Sequence, residues 1–382
     1  MRRYSLLTTL IFVALCALLT ACGGKTSRIA ADDFTEKVYE PTYAEHFAIL
    51  GAEGKQSVIV EIRNPWQGAK DEVRRVLLRR GDEPVPEGFE GTVIDGDVER
   101  MICMSTSYIG MLAALGESER IVGVSGLDYV SDSTVNARRD KVYDVGYETN
   151  IDYERVVAAE PDLVILYGVE CANPMETKLQ SLNIPYIYIG DYLEESPLGK
   201  AEWMVVMAEL LGRRDEGIRI FSAIPERYNV LKAMADSLEN RPVVMLNTPY
   251  ADTWVMPPAT SYACRLIKDA GGKYVLEDQP SESLRTVGIE EAWKLARTAD
   301  VWMQTGAISS LDELRRACPR FADTPPMVNG NVWNCDLRNT GHGGNDYWES
   351  GIVHPDLILR DMIKILHPEV LKDQPFVYYR RI

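Results

Sequence analysis

Residues 197–240 read PLGKAEWMVVMAELLGRRDEGIRIFSAIPERYNVLKAMADSLEN, and this stretch determines how the rest of the chain is organised. Its apolar residues recur at helical spacing in two runs, separated by Gly212. The second run predicts a helix over residues 214–238, roughly 35 Å long at about 1.5 Å per residue. Strand and helix patterns alternate on both sides, so the sequence predicts two α/β lobes joined by one long bridging helix. The alternative is a surface helix inside one large domain, and Pro225 is expected to kink the helix.

The N-terminus predicts an exported protein. Two arginines precede an apolar run over residues 6–19, which is too short to span a membrane and is typical of a signal peptide. The run ends in the motif LTAC, whose cysteine is Cys22, and this motif resembles the bacterial lipobox. The resemblance implies that residues 1–21 are removed and that Cys22 carries two or three acyl chains, enough for stable membrane anchoring. An apolar leader with a chance cysteine is the alternative.

Composition narrows the possible functions. The chain has 382 residues, which suits two domains, and its net charge is −16. Such an acidic protein is not expected to bind nucleic acid or anionic lipid through its overall charge. Apart from those of the leader and the lipobox, the cysteines are Cys103, Cys171, Cys264, Cys318 and Cys335. None of them has metal-ligand spacing, so buried free thiols are favoured, although one disulfide is possible outside the cytoplasm.

The segments along the chain predict its domains. Residues 22–42 are polar and read as a tether, residues 43–80 alternate like antiparallel strands, and residues 81–96 read as a loop. Beyond them, short apolar strands alternate with helices, which predicts mainly parallel sheets. The predicted units are an N-terminal lobe with added strands over residues 43–196, a bridge over 197–240 and a C-terminal lobe over 241–382.

Two segments on opposite sides of the bridge resemble each other. Residues 154–166 and residues 290–303 each combine an acid in the first helical turn with an aspartate directly before a buried strand. Two similar lobes would form a ligand cleft between the carboxyl ends of their strands, where open α/β sheets bind ligands.

Residues 100–124 resemble the first βαβ unit of class III solute-binding proteins, the extracytoplasmic receptors of ABC importers for vitamin B12, haem and ferric siderophores. Further segments of the chain match that family in their order and spacing. They are Val145-Gly146, Glu154 to Asp162, the bridging helix, Asp269 to Gly272, and Pro355 to Glu369. The resemblance covers about residues 98–371. The added N-terminal strands and Pro225 depart from the family pattern.

The resemblance implies how the protein meets its importer. In that family, one glutamate on each lobe forms ion pairs with arginines of the permease, and the matching positions are Glu154 and Glu290, with Glu291 as the alternative for the second. The competing explanation is that the helix dipole favours an acid in any first turn.

Loops that follow the predicted strands supply candidate ligand contacts. They are Ser105, Tyr108, Tyr147 and Tyr167 in the first lobe, and Tyr250, Trp254, Tyr262, Arg285, Arg338 and Trp348 in the second. Aromatic side chains suit a large, flat, partly apolar ligand, and arginines suit the carboxylates of a siderophore, haem or corrinoid. Core packing is the alternative for each aromatic residue. Trp66, in the N-terminal addition, is a candidate cover for the rim of the cleft.

Metal and enzyme signals are weak. The four histidines, His46, His342, His354 and His367, are scattered, whereas a receptor for bare zinc or manganese needs several that converge. His342 is the one candidate to ligate the metal inside a chelate, and no intrinsic cofactor is expected. Residues 123–127 lack the last glycine of a nucleophile elbow, and residues 341–346 lack the third glycine of a dinucleotide fingerprint.

The two resemblances together imply a lipid-anchored extracytoplasmic substrate-binding protein, on the periplasmic side in a Gram-negative cell. It would capture an iron complex (siderophore or haem) or a corrinoid and deliver it to an ABC importer built from a permease dimer and ATPase subunits. A lipid-anchored hydrolase that uses the cleft and a purely structural lipoprotein are the alternatives.

Overall fold

A computed structural model describes residues 30–169, 171–250, 253–279 and 283–382. The predicted leader and Cys22 lie outside the described residues. Among the residues described, no helix combines the length and the apolar character needed to cross a membrane.

The N-terminal part folds as a five-stranded sheet. In sheet order, its strands are β1 (Glu36–Tyr39), β2 (Phe47–Gly51), β3 (Val58–Arg63), β4 (Val73–Arg79) and β5 (Thr92–Asp95). Strands β1 to β4 pair antiparallel and β5 pairs parallel with β4, which confirms the antiparallel strands predicted within residues 43–80. The tether prediction was wrong from residue 30 onward and the loop prediction was wrong at β5. Both edge strands are short and half exposed, so their apolar pattern is weak.

Two buried carboxylates hold this sheet against the bridge and the first lobe. The Glu202 carboxylate is wholly buried and accepts hydrogen bonds from the Tyr39 hydroxyl and from the backbone N–H groups of Thr42, Tyr43 and Ala44, at 2.7–2.8 Å. The Glu194 carboxylate similarly accepts bonds from the next two backbone N–H groups and from the Trp203 indole. Because buried charges are tolerated only when they are well paired, these contacts fix the sheet as an integral part of the molecule.

The first lobe has a parallel sheet in the order β12-β11-β6-β7-β8. Its strands are β6 (Met101–Cys103), β7 (Ile121–Val124), β8 (Tyr143–Asp144), β11 (Leu163–Leu166) and β12 (Tyr186–Tyr188). A two-stranded antiparallel ribbon follows β8 and consists of β9 (Gly146–Tyr147) and β10 (Asn150–Ile151). The helices of this lobe are α1 (Thr106–Ala114), α2 (Ser133–Ala137), α3 (Tyr153–Ala158) and α4 (Met175–Ser181).

The bridge consists of helices α5 (Pro197–Glu202), α6 (Met204–Leu210) and α7 (Arg214–Asp236). The long helix is confirmed, and it remains continuous through Pro225. Ion pairs connect both ends of the long helix to the lobes: Arg213, which directly precedes α7, pairs with Glu117 of the first lobe, and Lys232 pairs with Asp269 of the second lobe at 2.6 Å. The long helix is therefore attached to both lobes.

The second lobe repeats the design. Its sheet has the order β15-β13-β17-β18-β19 and comprises β13 (Val243–Leu246), β15 (Lys273–Tyr274), β17 (Val301–Met303), β18 (Val332–Asn334) and the antiparallel edge strand β19 (Arg380–Arg381). The ribbon of this lobe pairs β14 (Thr253–Met256) with β16 (Arg285–Gly288). Its helices are α8 (Tyr262–Asp269), α9 (Ile289–Ala296), α10 (Leu311–Ala317), α11 (Pro325–Val328) and α12 (Pro355–Leu366). The predicted class, two α/β lobes with mainly parallel sheets, is confirmed.

Candidate functional site

The order of the strands locates a crevice in each lobe. In the first lobe the chain moves outward from β6 through β7 to β8, then returns to place β11 and β12 on the other side of β6. In the second lobe β15 lies beyond β13 on one side, and β17 and β18 continue on the other. Open α/β sheets bind ligands at such switch points, outside the carboxyl ends of the strands. The expected contacts are therefore the loops after β6 and β11 and those after β13 and β17.

A polar cluster lies at the crevice of the first lobe. Ser105 caps α1 by accepting a hydrogen bond from the Ser107 N–H at 3.3 Å, and the Ser107 hydroxyl donates to Asp191 at 3.4 Å. The Lys200 ammonium donates to the Asp191 carbonyl at 2.8 Å. Burial raises the pKa of Asp191 and lowers the pKa of Lys200. Ser107, Asp191 and Lys200 are buried, whereas Ser105 is half-buried and its hydroxyl lies 2.9 Å from the Ser107 hydroxyl.

The crevice of the second lobe is marked by two strained residues. Asn247 directly follows β13 and Gln304 directly follows β17, with φ angles of +66° and +60°. Such left-handed conformations are uncommon outside glycine and concentrate at functional sites. The Gln304 amide donates to the Tyr347 and Tyr379 hydroxyls at 3.4 Å each. The sequence analysis missed both residues, since a single sequence does not reveal a φ angle.

The lobes touch at one side of the cleft. Residues 339–345 form a tight hairpin, closed by a bridge between Asn339 and Asn345. Its tip approaches Tyr129 of the first lobe so closely that a Cβ on Gly344 would lie 2.5 Å from the Tyr129 carbonyl oxygen. The Tyr129 ring in turn meets the Tyr147 ring edge to face at 6.2 Å. Tyr129 therefore belongs to the aromatic lining, and it too was missed, although it follows β7.

Glu349 occupies the same junction between the lobes. Its carboxyl group accepts a hydrogen bond from the Ser131 N–H of the first lobe at 2.8 Å, and its side chain is buried. A Cβ on Gly110 of α1 would collide with the Glu349 carbonyl oxygen, so the two lobes approach here at backbone distance. Burial, with smaller contributions from Asp346 and Asp132, raises the pKa of Glu349 to about 8.

Two of the predicted ligand contacts need correction. Tyr108 is fully buried, and its hydroxyl donates to the Leu166 and Ile189 carbonyl oxygens at 3.0 Å each. Trp254 is also fully buried, its ring centre lies 5.2 Å from that of Trp302, and its indole N–H donates to a backbone carbonyl. Both side chains point into the core from elements that border the cleft, so neither lines it.

The remaining candidates lie on or near the surface. Tyr147, Tyr250 and Trp348 are exposed, and Tyr167 and Tyr262 are half-buried. Arg338 pairs with Asp346 at 2.9 Å, and Arg285 pairs with Glu291 at 2.6 Å. His342 is exposed at the tip of the hairpin. Within the described residues, no group of three or more histidine, cysteine or acidic side chains is placed to hold a metal ion.

The two glutamates assigned to permease docking occupy equivalent places. Glu154 is the second residue of α3 and Glu290 is the second residue of α9, and each helix directly follows the ribbon of its lobe. Both side chains are exposed, and neither has a hydrogen bond or ion pair within the part of the chain that the structure describes. Glu291, by contrast, is occupied by Arg285. The geometry therefore favours Glu290 over Glu291.

Comparisons with known proteins agree with this architecture. An uncharacterized lipoprotein of Methanocaldococcus jannaschii is 26% identical over 336 residues, covering 81% of this chain and 78% of the relative. The periplasmic heme-binding protein RhuT from Roseiflexus sp. superposes with a TM-score of 0.55 at 20% identity, over 72% of this chain and 99% of that protein. An ABC-type Fe3+-hydroxamate transport system protein from Saccharomonospora viridis gives 0.54 at 16% identity, over 72% and 96%. The family model described as periplasmic binding protein matches residues 101–338. That match spans well over half of the chain, which therefore belongs to the periplasmic binding protein family.

Proposed function

We propose that this protein is a lipid-anchored extracytoplasmic receptor that captures an iron complex (siderophore or haem) or a corrinoid and delivers it to an ABC importer. The observation that carries the proposal is the pair of switch-point crevices, one in each lobe, joined by the long helix α7. A ligand between the lobes would meet both sets of strand-end loops at once.

The chemistry of the exposed side chains supports a large chelate. Tyr147 and Trp348 offer partly exposed aromatic faces, and Arg338 offers a guanidinium that a ligand carboxylate could share with Asp346. Proteins of the same fold are described as binding haem or as serving Fe3+-hydroxamate transport, which agrees with this chemistry.

The ligand assignment is tested by titration. The chain from residue 23 onward, without the lipid, is titrated with haemin, ferrioxamine B and cyanocobalamin, and absorbance and tryptophan fluorescence are recorded. We expect one of them to saturate the protein at one equivalent with a Kd of about 1 µM or tighter, equivalent to about −8 kcal/mol. Arg338→Ala should weaken binding of a carboxylate-bearing chelate, with the buried Tyr108→Phe as a control for folding. Absence of a spectral or fluorescence change with all three would contradict the proposal.

The anchor is tested separately at Cys22. We expect Cys22→Ser to leave the protein either unprocessed or free in the extracytoplasmic fraction, because the acylated cysteine supplies the membrane attachment. Fractionation and intact-mass measurement distinguish these outcomes, and Cys171→Ser serves as a matched control at an exposed cysteine. A processed Cys22→Ser protein that stays with the membrane would show that something else anchors it.

A further inference from the structure

We propose that the N-terminal sheet supplies a third wall of the ligand cleft, through the turn formed by residues 66–69, and that this wall selects chelates with an amide or hydroxamate periphery. The inference rests on the proposed function, because it names the ligand class that the same cleft accepts. It concerns residues that precede the part of the chain matched by the family model, which begins at residue 101.

The turn is a well-defined structure. It lies in the connection between β3 and β4, which is closed at its base by a hydrogen bond from the Asn64 N–H to the Glu72 carbonyl at 2.7 Å. At its tip, the Ala69 N–H donates to the Trp66 carbonyl at 3.1 Å. These two bonds give residues 66–69 one conformation, with Gln67 and Gly68 exposed.

The turn is bonded directly to the crevice of the first lobe. The Gln67 N–H donates to the Val169 carbonyl at 2.9 Å, and Trp66 forms a parallel bridge with Gly168. A Cβ on Gly168 would lie 3.2 Å from the Trp66 Cβ and 2.9 Å from the Cys171 carbonyl oxygen, so the approach requires glycine at this position. Gly168 and Val169 lie in the loop after β11, one of the two loops that flank the switch point. The N-terminal sheet therefore reaches the edge of the lobe at which ligands are expected.

The Trp66 side chain of the turn is also held in place by contacts with neighbouring side chains. The Trp66 ring meets the Tyr188 ring at 6.1 Å, and the Arg74 guanidinium lies 5.1 Å from the Trp66 ring centre. Arg74 is itself paired with Glu72 at 3.3 Å and lies 3.7 Å from Glu176 of α4. Aromatic and cation–π contacts of this kind hold a side chain in place, so the turn presents a fixed surface.

The exposed side chain of the turn indicates the ligand class. Gln67 carries an uncharged amide, which both donates and accepts hydrogen bonds. Such a group pairs well with amide and hydroxamate groups, and it offers no charge to neutralise the carboxylates of haem. The third wall therefore favours a ferric hydroxamate, or a chelate with a similar amide-bearing edge, over haem.

The affinity test compares two glutamines of the same sheet. Gln67→Ala should weaken ferrioxamine B binding about fivefold, the effect of losing one hydrogen bond, and Gln67→Glu should change it more than Gln67→Ala. Gln56→Ala is the matched control, because Gln56 is exposed in the β2–β3 turn at the opposite end of the sheet. It should bind like the parent. Thermal unfolding of all three variants should match that of the parent, since both side chains are exposed.

A proximity test uses a fluorophore on Gln67→Cys in a Cys171→Ser background, with Gln56→Cys as the control. Ferrioxamine B should quench the label at position 67 and leave the label at position 56 unchanged. Equal affinities for Gln67→Ala and Gln56→Ala, together with an unresponsive label at 67, would overturn the third wall and leave the proposed function standing. A parent that binds haemin in preference to ferrioxamine B would overturn the ligand class. A parent that binds none of the chelates would overturn the proposed function as well.

Discussion

Replacing both Glu154 and Glu290 with alanine is expected to reduce importer-dependent uptake to background, while the Kd for the chelate stays within about threefold of the parent value. Both carboxylates are exposed, open the helix that follows the ribbon of their lobe, and have no hydrogen bond or ion pair within the described residues. An exposed ion pair contributes about 0–1 kcal/mol, and more once a docked partner excludes water from it. The loss should therefore concern docking and not the fold.

The measurements are uptake in cells, chelate affinity and thermal unfolding for each single and double variant. Glu291→Ala is the matched control, because the Glu291 carboxylate is engaged by Arg285 at 2.6 Å and is less available to a partner. Charge reversal to arginine at Glu154 and Glu290 should impair uptake more than alanine does, because it opposes like charges. If the alanine variants lose chelate affinity and the remaining loaded protein is taken up normally, the two residues belong to the cleft and the docking assignment fails.

The parts of the fold that were predicted correctly depend on long, periodic patterns. The helix α7 carries an apolar repeat over many turns, and its proline does not interrupt it. The strands β1 and β5 were missed because each has four residues and lies at the edge of a sheet, where one face meets water. Edge strands of this kind carry too little alternation to be distinguished from a loop.

The cleft residues were harder to predict, because position after a strand does not give the direction of a side chain. Tyr108 and Trp254 border the cleft in sequence and point into the core, where their polar atoms bond to backbone carbonyls. Asn247 and Gln304 were missed for the opposite reason, since only the backbone angles and the sheet order reveal them, whereas Tyr129 is revealed by its contacts with Tyr147 and Gly344. Strand order at the switch points is thus the information that a single sequence lacked.

Glu349→Gln is expected to make the protein more stable at alkaline pH and to reduce the dependence of its stability on pH. Burial holds the folded pKa of Glu349 at about 8, against an ordinary value of 4.5. A raised pKa means that the folded state favours the neutral acid, so the penalty is small below pH 4.5 and grows as pH rises towards 8. Glutamine keeps an acceptor for the Ser131 N–H and cannot ionise. We expect the variant to exceed the parent by about 2–4 kcal/mol at pH 9 and to match it within about 1 kcal/mol at pH 5.

Urea unfolding at pH 5, 7 and 9 measures the free energy of unfolding of the variant and of the parent. The test is the difference between these two free energies at each pH, and not the pH dependence of either protein alone. The ionisable groups that face Glu349 are Asp346, Asp132 and Cys103, with Arg338 paired to Asp346 at 2.9 Å. Subtracting the two pH profiles cancels their contributions to first order. Glu119→Gln, at an exposed position, should leave the profile unchanged. If the difference is constant from pH 5 to 9, the Glu349 carboxyl is already ionised in the folded state. The backbone N–H groups at Ser131 and Asp132 would then hold it as an anion, and the junction between the lobes would not respond to pH.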